Sequence, residues 1–417
     1  MTTEHAATPR SVIDSPAAWW RLVASLAIAT LGGVGMWSVV VALPAVQAEF
    51  GVDRGSASLP YTLTMVGFGF GGILMGRLSD RYGIARPLAG ATLALAAGYA
   101  LADMAPTLLT YALAQGLLIG ALGSSATFGP LLADVSHWFE RRRGLAVAIT
   151  ASGNYLAGTV WPPIVQHLIE TIGWRATHVA IGAVCLIAML PLTLVLRRRS
   201  PYLRPAGARD AAPVTSSAPR SLGLSPSALQ ALLVIAGLAC CVAMSMPQVH
   251  IVAYCGDLGY GPAAGAQMLS LMLGFGIVSR LLSGWIADHI GGLRTLLLGS
   301  ALQGVALVLY VPFDGLASLY LISALFGLFQ GGIVPSYAII VREYFAPHEA
   351  GARVGWVVMA TLFGMALGGW LSGEVFDLTG SYRAAFLNGI AWNVLNLTIV
   401  AWLLLRSGSS RAAPAGA

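Results

Sequence analysis

Twelve runs of roughly twenty apolar residues, each closed by a short polar turn, take up nearly all of this 417-residue chain. The candidate ranges are 19–46, 57–77, 87–105, 107–136, 144–169, 175–196, 227–255, 262–286, 293–312, 316–341, 351–374 and 383–405. About twenty apolar residues are what an α-helix needs to cross the hydrocarbon core of a bilayer. Only 10% of the residues are charged and 57% are apolar, whereas a water-soluble domain carries roughly 25% charged residues. Too little charge remains to cover a soluble surface, which excludes a soluble enzyme, a disordered chain and a collagen-like fibre. The expected fold class is an all-α integral membrane protein, with twelve transmembrane helices in two six-helix bundles.

The division between bundles follows from the only long interior polar stretch, which is rich in Pro, Ser, Ala and Arg as a linker would be. The expected organisation is a tail (1–18), a first bundle (19–196), a linker (197–226), a second bundle (227–406) and a tail (407–417). Residues 1–16 lack the charged-then-apolar order of a signal peptide. All 23 basic residues are Arg, and the formal net charge is +6. Basic balance alone is compatible with nucleic acid or an anionic membrane surface, so the distribution decides. With the N-terminus inside, nineteen arginines fall in inner segments and three, Arg54, Arg175 and Arg383, in outer loops; Arg280 lies within a span. Positive loops stay cytoplasmic. Both termini are therefore expected in the cytoplasm of a cell with this protein in its inner (plasma) membrane, in contact with lipid and not nucleic acid.

Catalytic chemistry finds no footing. The four cysteines sit in apolar stretches without metal-ligand spacing and read as packing residues. There is no phosphate-cradling Gly-Lys loop, no His-Glu-x-x-His helix and no nucleophile elbow. No enzyme activity, cofactor, metal or direct use of ATP is expected.

The two halves repeat each other. Gly76, Asp80, Gly83 and Arg86, between the second and third spans, recur at one offset as Gly284, Asp288, Gly291 and Arg294, between the eighth and ninth. Internal repeats of this kind mark secondary transporters, whose halves rock about a central site. At these residues the chain resembles the major facilitator superfamily, whose corresponding loop reads Gly-x-x-x-Asp-Arg-x-Gly-x-Arg. Gly76, Asp80, Arg81, Gly83 and Arg86 match it, and the second copy has His289 in the place of Arg81. The resemblance implies that these residues are gate parts, latching the cytoplasmic side while the outer side is open.

Within that superfamily the chain looks most like the monocarboxylate transporter group and its bacterial oxalate–formate exchanger relatives. The likeness rests on Trp138-Phe139-Glu140-Arg141-Arg142-Arg143-Gly144-Leu145-Ala146 followed by Ala151-Ser152-Gly153, on the stretch from Pro247 to Gly259, and on the lone Arg in the eighth span. It also departs from the pattern. The first span reads Gly32-Gly33-Val34-Gly35-Met36-Trp37, without the group's acidic-Gly run or Lys. The eleventh span, Trp356 to Glu374, holds no base, which weakens dicarboxylate exchange. Gly153 to Pro163 does not fit the Gly-Pro-rich motif of drug–proton antiporters.

Arg280 is the sharpest chemical signal. It lies eight residues before Asp288, about 12 Å inside the membrane edge at 1.5 Å per residue. A charge at that depth is costly unless it faces water or a partner, and a guanidinium there can clamp a carboxylate through two parallel hydrogen bonds. One deep base and no second one points to a substrate with a single negative charge. His250 and Asp257 share a face of the seventh span and are proton-coupling candidates, His250 also as a donor to substrate. Trp37, Tyr61, Ser124, Asn154 and Tyr337 are polar or amphipathic at cavity depth, with Ser125 and Tyr155 beside them. Asp134, two turns from Arg141, is expected in the cytoplasmic gate. Gln330-Gly331-Gly332 would let backbones approach closely, and Trp161-Pro162-Pro163 would break the fifth span toward its outer end.

The expected function is secondary active transport of a small organic monocarboxylate, by alternating access and proton symport, in a protein that works as a monomer. A transporter of another small solute, or an anion exchanger, is the alternative. A membrane sensor or enzyme has least support, because the longest polar stretch is only the linker.

Overall fold

A computed structural model describes residues 13–198 and 222–409. The expected tails outside that range and most of the expected linker (199–221) lie outside the described residues.

The chain is built from helices: α1 (Pro16–Gly32), α2 (Val34–Phe50), α3 (Arg54–Tyr82), α4 (Ala85–Asp103), α5 (Leu108–Leu113), α6 (Gly129–Ser136), α7 (Arg143–Val195), α8 (Pro226–Asp257), α9 (Pro262–Ile290), α10 (Gly292–Leu309), α11 (Leu316–Gln330), α12 (Ile333–Tyr344), α13 (Pro347–Thr379) and α14 (Tyr382–Ser409). Side chains cap several of them, as Ser15 does α1, Asp53 α3 and Ser225 α8. Three crossings are interrupted. α1 and α2 form one, broken at Gly33; α5 and α6 form another, joined by a π-helix (Ala114–Gly123) and a 3₁₀ turn (Ser124–Thr127); α11 and α12 form the third. In hydrocarbon, backbone irregularity persists only where protein or a cavity covers it.

α7 holds two crossings. Its 53 residues would reach about 80 Å if straight, far beyond a core of about 30 Å. It turns back at Gly173 (φ 80°, ψ 159°), a conformation that only Gly adopts without strain. Both of its ends lie near the first turns of α1: Arg142 sits over the Trp19 ring, and the Leu196 carbonyl accepts from Arg21. The expected break at Trp161-Pro162-Pro163 does not occur, since α7 runs through both prolines. Pro163 cannot donate to the carbonyl of Thr159, and the Ser270 hydroxyl of α9 takes that carbonyl instead. Ten helical stretches are long and apolar enough to cross a membrane. Splitting α7 and adding the less apolar α4 brings the described residues to twelve crossings, six before the linker and six after.

The halves match at their turns. Gly83 (φ 79°, ψ 159°) closes α3 and Gly291 (φ 84°, ψ 164°) closes α9, each donating its N–H back into the preceding turn. The recurring Gly of the motif is thus a backbone requirement.

Charge divides the molecule into two faces. On the face that carries Trp19 and Arg198, Arg21 is 3% exposed. It holds Asp134 with Nε at 2.7 Å and Nη2 at 2.8 Å, donates to the carbonyls of Arg198 and Leu196, and lies 4.4 Å over Trp138. Asp134, expected in the cytoplasmic gate, is held here by Arg21 within the first bundle. A buried guanidinium needs its donors satisfied, and the carbonyls at the end of α7 complete the set. On the far face, Arg175 pairs with Glu49 (2.7 Å), Arg383 with Asp314 (3.6 Å) and Arg54 with Asp257 (3.2 Å).

Candidate functional site

Between the bundles lies a cavity of about 160 Å³. Trp37, Tyr61, Asn154 and Arg280, four of the expected substrate residues, line it together, with Tyr155 beside Arg280. The sequence places them far apart, and specific contacts collect them. Trp37 Nε1 donates to the Asn154 carbonyl at 3.2 Å. The Arg280 guanidinium stacks 4.4 Å over the Tyr155 ring, and its Nη1 donates to the Ala151 carbonyl at 3.0 Å. Its Nε is buried without a hydrogen-bond partner, as is Asn154 Oδ1. Gln248 Nε2 donates to Gln330 Oε1 at 2.8 Å, where α11 ends.

The break after Gln330 brings α11–α12 against α9. A Cβ on Gly331 would stand 2.3 Å from the Gly276 carbonyl and 3.1 Å from the Arg280 backbone nitrogen, and one on Gly332 would overlap Ser283. Two glycines therefore let the chain press on the turn that carries Arg280.

Three expected substrate residues lie outside this lining. Ser124 donates to the Gly32 carbonyl at 2.8 Å, joining the first and fourth crossings. Tyr337 donates to Asn396 Oδ1 at 3.2 Å inside the second bundle. His250, fully buried, belongs to a network at the far face.

That network centres on Arg54, which the sequence places in an outer loop and the structure buries at 7% exposure. Nη1 donates to the Tyr382 hydroxyl at 2.5 Å and Nη2 to Asp257 Oδ1 at 3.2 Å, while the guanidinium carbon lies 4.9 Å from the Phe376 ring centre. The backbone N–H groups of Arg54 and Gly55 donate to the Asp377 carboxylate at 3.0 and 2.6 Å. His250 Nε2 meets the Gly369 carbonyl at 2.7 Å and so donates; in the neutral ring Nδ1 is left to accept from the Tyr382 hydroxyl, 3.4 Å away. Arg54 thus ties the first bundle to α8, α13 and α14 of the second. Nearer the middle, Thr62 Oγ1 donates to the Ala366 carbonyl at 3.1 Å across the same seam.

The opposite end is unlatched. Asp80, Arg81, Arg86, Asp288 and Arg294 are exposed, and no hydrogen bond or ion pair among the described residues carries any of them to the other bundle. A Cβ on Gly76 or Gly284 would meet open space. The seam is closed at the far face, and among the described residues the motif side chains at the basic face hold nothing across it.

Arg54, Tyr382 and Asp377 escaped the sequence reading. The one local sign is Asp53, which caps α3 through the Ser56 N–H at 2.7 Å and starts a helix with Arg54 at its first position.

The chain matches the Major Facilitator Superfamily over residues 25–322 and 293–417. It is 31% identical over 325 residues to Monocarboxylate transporter 13 of Bos taurus, covering 76% of this chain and 73% of that one. To Monocarboxylate transporter 11 of Mus musculus it is 29% identical over 402 residues, 91% of this chain and 86% of that one. These relatives are animal proteins and lend nothing to the expected bacterial assignment. Among solved structures, it superposes on a bacterial homolog of the human lysosomal transporter Spinster, in an inward-facing and occupied conformation, with a TM-score of 0.70 at 15% identity, covering 95% of this chain and 98% of that one. The nucleoside transporter NupG gives a TM-score of 0.68 at 16% identity, over 94% and 99%. Twelve crossings in two repeated bundles, a cavity on the seam and these matches agree: the chain belongs to the Major Facilitator Superfamily and is a membrane transporter, not an enzyme.

Proposed function

We propose that this protein is a secondary transporter of a small organic monocarboxylate. The observation that carries the reading is the Nε–Nη2 edge of Arg280. Nη1 is committed to Ala151, Nε is buried and unpaired, and Arg280 is the only charged residue among the described residues that line the cavity. A guanidinium edge in apolar surroundings needs an anion, and a carboxylate fits it with both oxygens. The names of the two monocarboxylate transporter relatives support the same substrate class.

Proton symport is the coupling we favour, and its site lies away from the cavity. No Asp, Glu or His lines the cavity, so a proton travelling with the substrate needs another seat. Asp257 and His250, on either side of the Arg54–Tyr382 contact, are the candidates: a proton on Asp257 weakens its hold on Arg54 and loosens the far face. The arginine distribution supports cytoplasmic termini in a plasma membrane, since each of the three far-face arginines is neutralised by an acid. The far face is then extracytoplasmic, and the protein works as a monomer.

The test is monocarboxylate binding to purified Arg280→Ala protein, with thermal stability followed in parallel. Loss of one member of a buried pair typically costs roughly 3–5 kcal/mol, so affinity should fall by about 10²-fold to several thousandfold. Arg280→Lys keeps the charge without the planar fork and should recover only part of it. Near-parental affinity in well-folded Arg280→Ala would refute the site.

A further inference from the structure

The remainder of the cavity bears on what the carboxylate is attached to. We infer that the substrate is an aryl monocarboxylate, a single aromatic ring joined to one carboxylate; this rests on the carboxylate reading above.

Tyr155 covers a face of the Arg280 guanidinium and Ala151 occupies Nη1, so an anion approaches edge-on, along Nε and Nη2. The rest of the lining is mostly apolar, with Phe68 and Phe128 and the thioethers of Met65, Met244 and Met365 beside the polar Asn154 and Gln248. Phe68 and Phe128 tilt against each other at 6.3 Å between ring centres. Aromatic rings pack well against other rings at such separations, and methionine sulfur packs favourably against ring edges.

Size narrows the choice. The cavity measures about 160 Å³, and an apolar protein cavity of about 150 Å³ takes up benzene. The cavity has room for one ring. A two-carbon acid would meet Arg280 but leave the apolar walls without partner atoms, forfeiting their dispersion contacts. The lining has no second base for a dicarboxylate and no acid for the ammonium group of an amino acid.

Calorimetric binding of acetate, phenylacetate and phenylacetamide to the purified full-length protein tests this. Phenylacetate should bind about 100-fold more tightly than acetate, the effect of withdrawing roughly 100 Å² of ring surface from water. Met365→Trp, which narrows the apolar part of the lining, should shrink that advantage to about threefold or less. Equal affinities for acetate and phenylacetate would overturn the aryl inference and leave the carboxylate reading standing. If neither acid binds, or if neutral phenylacetamide binds as tightly as phenylacetate, the carboxylate reading falls and this inference with it.

Discussion

Replacing Asp257 with Asn removes one ionic link between the bundles while keeping the shape of the side chain. The Arg54 side chain is buried, but Asp257 is 39% exposed, and the two meet at 3.2 Å through one guanidinium nitrogen. A fully buried pair would call for roughly 3–5 kcal/mol; solvent on the Asp257 side and a single contact reduce this to about 1–1.5 kcal/mol. The Tyr382 hydroxyl on Arg54 and the Asp377 carboxylate on the α3 backbone remain, so the fold should persist. The loss bears on the conformation closed at the far face, and about 1–1.5 kcal/mol shifts its equilibrium with the far-open state roughly 5- to 12-fold. A far-open population of about 2%, within the usual range for a minor state, would rise to about 10–20%. Spin labels at Met104 and Phe313, both exposed on far-face loops of opposite bundles, would read this as a growing long-distance population, and the four native cysteines are buried. An unchanged distance distribution in a variant of parental thermal stability would refute the gate.

Asp80→Asn should act in the opposite sense: with Asp80 exposed and unengaged here, stability should stay within about 0.5 kcal/mol, while the far-open population of the same spin pair falls and substrate binding persists. Arg21→Ala strands Asp134 and two carbonyls, and unfolding in detergent should show a loss of roughly 3–5 kcal/mol. Gly331→Ala forces a methyl to 2.3 Å from the Gly276 carbonyl. It should cost about 1–3 kcal/mol and weaken carboxylate binding through the displaced Arg280 backbone, whereas Gly355→Ala, which meets open space, should stabilise by about 0.5–1 kcal/mol.

Arg280 was legible because a charge in hydrocarbon needs a reason, and its depth follows from counting residues along one helix. Arg54 carries an equally consequential charge, yet its place in the sequence is a loop between two spans. It stands one residue past a helix cap, and its partners Asp257, Asp377 and Tyr382 lie 203, 323 and 328 residues away. Helix periodicity reports which residues share a face, not which face of a distant helix will meet it. The prolines of α7 show the same limit from the other side. A local rule predicts a break at Trp161–Pro163, but a hydroxyl from α9 fills the vacated bond and the helix runs on to Gly173.

The sequence by itself determined what solvent physics enforces on any chain. Scarce charge demands a bilayer, and runs of about twenty apolar residues set the number of crossings. Paired motifs at one offset announce two equivalent halves, and glycines at the motif turns take a positive φ whatever packs around them. Only the tertiary structure decided which end of the seam is closed, which of the expected polar residues share the cavity, and that His250 meets Tyr382 and Gly369 outside its lining. The physical reason is range. Burial and helix formation are settled within a few turns of chain, whereas a gate and a cavity arise from contacts between two bundles that the sequence lists one after the other.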